Sequence, residues 1–147
     1  MKQSAARTLI AGCVLVLVGS LLAHWVQTSG GTRIEDIRFT GDNGQTLSAL
    51  LYIPANASAE SPAPGVLAVH GYINSREVQS GFAIELARRG YVVLALDQSG
   101  HGYSDAPAFS NGFGGPAALR YLRSLDIVDP DNIGLEGHSM GGWTVLA

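Results

Sequence analysis

Cysteine occurs only once in this 147-residue chain, at Cys13, so no internal disulfide braces the fold, and the redox compartment stays open. Basic residues are also few. Nine Lys and Arg stand against twelve Asp and Glu, giving a formal net charge of -3 with no basic stripe. A nucleic-acid partner, which needs such a stripe to neutralise phosphates, is therefore not expected. Charged residues make up only 14% of the chain while 46% are hydrophobic, a composition that excludes disorder and fits a globular chain of at most one domain. Internal repeats and low-complexity tracts are lacking as well.

What the chain does have is one long apolar run. Lys2 and Arg7 precede an uncharged stretch over residues 9–26, with Trp25 near its far end. About 18 residues at about 1.5 Å each span roughly 27 Å, enough to cross a hydrocarbon core. The basic flank places the N-terminus on the cytoplasmic side and the rest of the chain on the extracytoplasmic side. Residues 1–26 are thus read as a signal anchor that contacts the membrane through residues 9–26. The alternative is a signal peptide cleaved after Ala23, leaving a secreted product, although Leu21 fits the small-x-small cleavage pattern poorly. Ile10-Ala11-Gly12-Cys13 matches a lipoprotein cleavage box, but most of the apolar run follows the cysteine, so the match is read as chance.

Residues 27–31 form a short Gly/Ser-containing linker, and the globular domain is expected over residues 32–147. Residues 33–40 and 45–53 read as strands around Gly41-Asp42-Asn43-Gly44, an antiparallel hairpin. Strand and helix then alternate. Residues 65–70, 91–96 and 133–136 are expected as strands. Residues 76–89 and 115–125 are expected as helices, the first with Val78, Phe82, Ile84, Leu86 and Ala87 towards one face. The alternation implies parallel strands with helices on both faces, an α/β fold.

Three motifs stand at the ends of the predicted parallel strands, where ligands of such sheets collect. In Gly137-His138-Ser139-Met140-Gly141, the glycines at positions flanking Ser139 suit a strand-to-helix turn too sharp for side chains, which exposes the serine as a candidate nucleophile. The helix start behind it offers unpaired N–H groups, that of Met140 among them, to a developing oxyanion. In His70-Gly71-Tyr72 the N–H of Tyr72 is a candidate for the same task, with His70 packed beneath the turn. Asp97-Gln-Ser-Gly100-His-Gly102-Tyr-Ser104 reads as a loop shaping the site wall. His101 belongs to that loop and His138 adjoins the serine, so neither is expected to be its base. The pattern implies no cofactor and no metal.

Together these motifs resemble the α/β-hydrolase superfamily over Thr32 to Ala147. The resemblance implies a hairpin followed by parallel strands, with Ser139 as the nucleophile after the fifth strand and the backbone N–H groups of Tyr72 and Met140 as the oxyanion hole. It further implies hydrolysis of ester or amide bonds, in small molecules or peptides, through an acyl-enzyme, as in lipase, esterase and serine aminopeptidase-like members. A serine at the elbow argues against dehalogenases, which use aspartate there. In the family the triad acid and histidine follow the serine, and the chain carries neither segment. It is therefore expected to be an N-terminal portion of a longer hydrolase, poorly folded and inactive alone. Two other readings stand beside this one: a non-catalytic α/β-hydrolase-like interaction protein, and an acyltransferase or thioesterase.

Overall fold

The structure is a computed structural model that describes residues 2–28, 30–107 and 111–146. Met1, Ser29 and Ala147, which fall in the expected membrane segment, linker and domain, lie outside the described residues.

A largely apolar, uncharged run without proline forms one long helix, α1 (Lys2–Thr28), whose described side chains are all exposed. Its Ser4–Gln27 stretch is long and apolar enough to cross a membrane or to serve as a signal sequence. The helix continues through Gln27 and Thr28, positions that composition assigns to the linker, because extending an existing helix costs little.

Strand β1 (Arg33–Thr40) turns back into β2 (Thr46–Ile53) as an antiparallel hairpin, with Arg33 opposite Ile53 and Thr40 opposite Thr46. The turn is closed by Gly41 N–H to Gln45 O at 2.8 Å. The chain then alternates through β3 (Ala63–Val69), a 3-10 turn (Arg76–Gln79), α2 (Ser80–Arg88), β4 (Val92–Asp97), a second 3-10 segment (Asn111–Gly114), α3 (Gly115–Arg123), β5 (Val128–Gly137) and α4 (Met140–Leu146). The sheet order is β1-β2-β4-β3-β5. The hairpin joins antiparallel to β4, whereas β3 runs parallel to both β4 and β5.

The apolar run Val92–Asp97 shows why the sheet needs two covering layers. Successive side chains of a strand point to opposite faces. Val92, Leu94 and Leu96 accordingly enter a core with Leu47, Leu67 and Leu122 under α3, while Val93 and Ala95 pack against Ala83, Ile84 and Ala87 of α2. Helices therefore cover both faces, as the alternation implies.

Two details depart from the sequence reading. Residues 76–89 do not form one helix, and the apolar face differs. Ala83, Ile84 and Ala87 are buried, whereas Val78 and Phe82 are 54% and 64% exposed. The 3-10 start rotates the helix so that its alanines, which permit close approach, meet the sheet, and Arg76 and Gln79 turn inward instead. Strand β5 also begins earlier than residue 133. A register irregularity shifts the partner of β3 from Asp129, opposite Pro64, to Ile133, opposite Gly65, so Pro130 sits in the strand without having to donate a ladder hydrogen bond. Among the described strands β5 is an edge, and Leu135 on it is exposed.

These placements separate two substitutions that hydrophobicity alone would equate. Leu94→Ala removes a fully buried side chain at the centre of the sheet and is expected to cost about 2–5 kcal/mol in chemical denaturation. Phe82→Ala on the outer side of α2 is expected to stay within about 0.5 kcal/mol.

Candidate active site

The C-terminal ends of β3, β4 and β5 deliver the three motifs to one end of the sheet. The turn from β5 into α4 is the tightest of them. A Cβ on Gly137 would lie 2.3 Å from the carbonyl oxygen of Gly141, and one on Gly141 would lie 2.2 Å from that of Val69 and 2.7 Å from that of His70. No side chain fits at either position, so the turn closes directly over the end of β3. The bonds from Gly141 N–H to His138 O and from Gly142 N–H to Ser139 O, both 2.9 Å, fix its shape. Ser139 is left at φ 55, a left-handed conformation that is strained for a non-glycine residue, with its side chain exposed. Its hydroxyl has no hydrogen bond to any histidine among the described residues. Met140 follows as the first residue of α4.

The second motif lies directly against the first. A Cβ on Gly71 would be 3.4 Å from the Ser139 Cβ and 3.1 Å from the Nδ1 of His138, so the His70–Tyr72 turn abuts the elbow. Tyr72 itself is exposed, with its ring 5.9 Å from that of His101 and edge-on to it.

Beneath both turns runs a layer of buried polar side chains. The His70 ring is fully buried, with Nδ1 2.7 Å from Gly71 O and Nε2 accepting the Gln98 N–H at 3.1 Å. These contacts select the neutral ring protonated on Nδ1, and burial pushes the imidazole below its ordinary pKa. Gln98 donates its amide to His70 O at 2.6 Å and accepts from the Thr144 hydroxyl of α4, tying β3, β4 and the elbow helix together. Asp97, also buried, accepts the N–H of Arg76 at 2.7 Å and that of Tyr103 at 3.0 Å. Gly102, at φ 52, is required there, since a Cβ would fall 2.2 Å from the Asp97 carboxylate. The loop over residues 97–104 is thus a folded cap on Asp97, and His101 within it holds Nδ1 3.1 Å from Ser99 O.

The roles of Gln98 and Arg76 are not readable from sequence. Each depends on partners distant along the chain, such as Thr144 for Gln98 and Asp36 for Arg76. No sequence motif marks Glu136 either. Its Oε2 is buried without a hydrogen-bond partner among the described residues, beside a cavity of about 380 Å³ lined by Gly71, Asn74, Gln79 and His138. Burial raises its carboxyl pKa, and His138 pulls it back down. Among the described residues no cluster of His, Cys, Asp or Glu is arranged to hold a metal.

A family model described as the alpha/beta hydrolase fold matches residues 64–147, more than half of the chain. The quorum-quenching protein AidA of Acinetobacter baumannii is 32% identical over 119 residues, covering 76% of this chain and 38% of that protein. An uncharacterized protein of Mycobacterium tuberculosis is 34% identical over 90 residues, covering 56% of this chain and 24% of that one. The chain thus spans well under half the length of these relatives. Among solved structures, a bacterial heroin esterase superposes with a TM-score of 0.69 at 24% identity, over 90% of this chain and 43% of that one. A hypothetical protein of Pseudomonas aeruginosa gives 0.63 at 28% identity, over 73% and 35%.

The buried neutral His70 predicts an acid sensitivity. The unfolded chain takes up a proton at the ordinary imidazole pKa of about 6.5, whereas the folded chain resists it, so this stabilisation is present above about pH 6.5 and declines below it. Glu136, with its raised pKa, acts in the opposite sense. Comparing melting midpoints from about pH 7 to about pH 5 in wild type and His70→Asn isolates the histidine contribution. The wild type is expected to lose stability more steeply than the variant.

Proposed function

The chain belongs to the α/β-hydrolase family, and on that premise we propose that it carries the nucleophile side of a serine hydrolase cleaving ester or amide bonds through an acyl-enzyme on Ser139. The observation that carries this reading is the exposed Ser139 at φ 55, on a turn that excludes side chains at Gly137 and Gly141, with the His70–Tyr72 turn packed against it. In the proposed mechanism the Ser139 Oγ attacks the substrate carbonyl carbon and its proton passes to a base. The carbonyl oxygen becomes an oxyanion that accepts the N–H groups of Met140 and Tyr72. Expulsion of the leaving alcohol or amine gives the acyl-serine, and water then attacks it to release the acid and regenerate the hydroxyl.

A serine hydroxyl is a weak nucleophile without its base, and losing the base costs orders of magnitude in rate. We propose that the triad acid and histidine come from further polypeptide beyond these 147 residues, which alone are inactive. The fraction of the relatives' length that the chain spans supports this, as does the lack of a histidine bonded to Ser139 among the described residues. The likeness in fold to a bacterial heroin esterase supports small-molecule ester substrates. For α1 we propose a single-pass anchor with the hydrolase on the extracytoplasmic side, on the strength of Lys2 and Arg7 before its apolar run, with cleavage as a signal peptide the alternative.

A fluorophosphonate probe applied to the native protein in its own membranes is expected to label Ser139, in a polypeptide longer than 147 residues. Ser139→Ala should abolish both labelling and turnover while leaving the fold intact, because the hydroxyl is exposed and its loss opens no cavity. Labelling that persists in the alanine variant places the nucleophile elsewhere. For orientation, protease added outside sealed spheroplasts should degrade the hydrolase domain. Protection of that domain contradicts the proposed topology.

A further inference from the structure

The loop carrying Tyr72 has no core of its own. Tyr72, Ile73 and Asn74 are all exposed, and Ile73, a β-branched residue, holds φ 60 while 79% exposed. That conformation crowds Cβ against the backbone and persists only where the surroundings over-determine it. An exposed side chain supplies little such constraint, so the ends of the loop must.

Both ends are anchored. At the first, the His70 ring bonds Gly71 O at 2.7 Å, and Gly71 is backed by the elbow. At the other stands Arg76, only 3% exposed, and its bonds reach three strands. Its N–H donates to the Asp97 carboxylate at the end of β4, at 2.7 Å. Its guanidinium grips both oxygens of Asp36 on β1, at 2.8 and 2.9 Å, and donates to the Ser48 hydroxyl at 2.7 Å and to Ala49 O at 3.0 Å on β2. The Tyr103 ring lies 5.0 Å from its Cζ. The hydrogen bond of Asp36 to Arg76, aided by Arg38, holds the Asp36 pKa at about 2.

We propose that Arg76 is a positioning residue for the oxyanion side of the site. By fixing the end of the loop to three strands, it forces the strained Ile73 conformation that aims the Tyr72 N–H at the oxyanion formed on Ser139. The inference rests on the serine-hydrolase reading above. It differs from a purely structural role for Arg76 in one respect: strain at Ile73 and the grip of Arg76 are coupled, so relieving the first compensates in part for weakening the second.

The test uses the native-length enzyme with an aryl acetate substrate. Arg76→Lys keeps the charge but loses the two-pronged bond to Asp36. It is expected to lower kcat roughly 10- to 100-fold, short of the roughly 100- to 1000-fold for an oxyanion donor removed outright, because the Tyr72 N–H is displaced and not lost. KM should change less than about threefold, because the donor acts mainly in the transition state. Adding Ile73→Gly, which accepts the left-handed conformation without strain, is expected to recover at least about threefold of that loss by letting the loop settle. If Arg76→Lys does not fold, Asp36→Asn weakens the same grip from the exposed side and should lower kcat in the same direction. A folded Arg76→Lys enzyme (or Asp36→Asn, where the lysine variant does not fold) with wild-type kcat overturns the proposal, as does a double variant no faster than the lysine variant. Ser139→Ala runs alongside. If it kills turnover while Arg76→Lys does not impair it, only this inference fails. If it leaves turnover intact, the serine reading and this inference fail together.

Discussion

A Cβ on Gly141 would stand 2.2 Å from the carbonyl oxygen of Val69, and the rest of the site depends on that contact. Backbone meets backbone there, so the first turn of α4 lies directly on the end of β3, and no substitution with a side chain preserves the approach. Because β3 and β5 are adjacent and parallel, with Val69 opposite Gly137, the same contact sets where β5 must stop and where the chain must turn. The left-handed conformation of Ser139 is the consequence, and the sheet beneath holds the strain in place. Gly71 brings the neighbouring turn within van der Waals distance of the serine Cβ. Two backbone turns and one hydroxyl are thereby assembled from elements that are separate in sequence.

The buried polar layer below these turns keeps them rigid. An unpaired polar group in such a place costs about 1–3 kcal/mol, and His70, Gln98 and Asp97 each have their partners. Arg76 and Asp97 form a more demanding pair: removing Arg76 leaves the buried Asp97 carboxylate without its cation, whereas Arg76 without Asp97 keeps Asp36. The layer joins the motif loops to the hairpin β1–β2, which contributes no residue to the candidate site but holds the Asp36 end of the Arg76 grip. By contrast, Glu136 Oε2 and Gln79 Nε2 are orphaned beside the cavity between α2 and β5, along the flank where Val78, Phe82 and Leu135 are exposed.

Periodicity carried much of this architecture in plain view. The hairpin follows from two alternating runs around Gly41 to Gly44, and the apolar stretch ending at Asp97 is buried on both faces as its composition implies. Two glycines at fixed offsets from a serine have a steric meaning that sequence alone displays, and a Cβ at Gly137 or Gly141 would indeed collide with backbone. What local pattern misled on was the start of α2. Val78 and Phe82 look like core residues until the 3-10 turn, set by the inward pull on Arg76, rotates them outward. The strand expected from residue 133 likewise begins earlier, at Val128, because a register shift excuses Pro130 from the ladder. The bonds of Arg76 to Asp36 and of Gln98 to Thr144 join residues tens of positions apart, and no local signal announces them.

The proposed reaction is covalent chemistry at one oxygen. The most direct measurement is rapid acid quenching of the native enzyme during turnover of an aryl acetate, followed by proteolysis and tandem mass spectrometry of the fragments. An acetyl group on Ser139 that accumulates and decays with turnover is expected. Turnover with no acetylated residue, or acetylation that follows turnover at a residue other than Ser139, would contradict it.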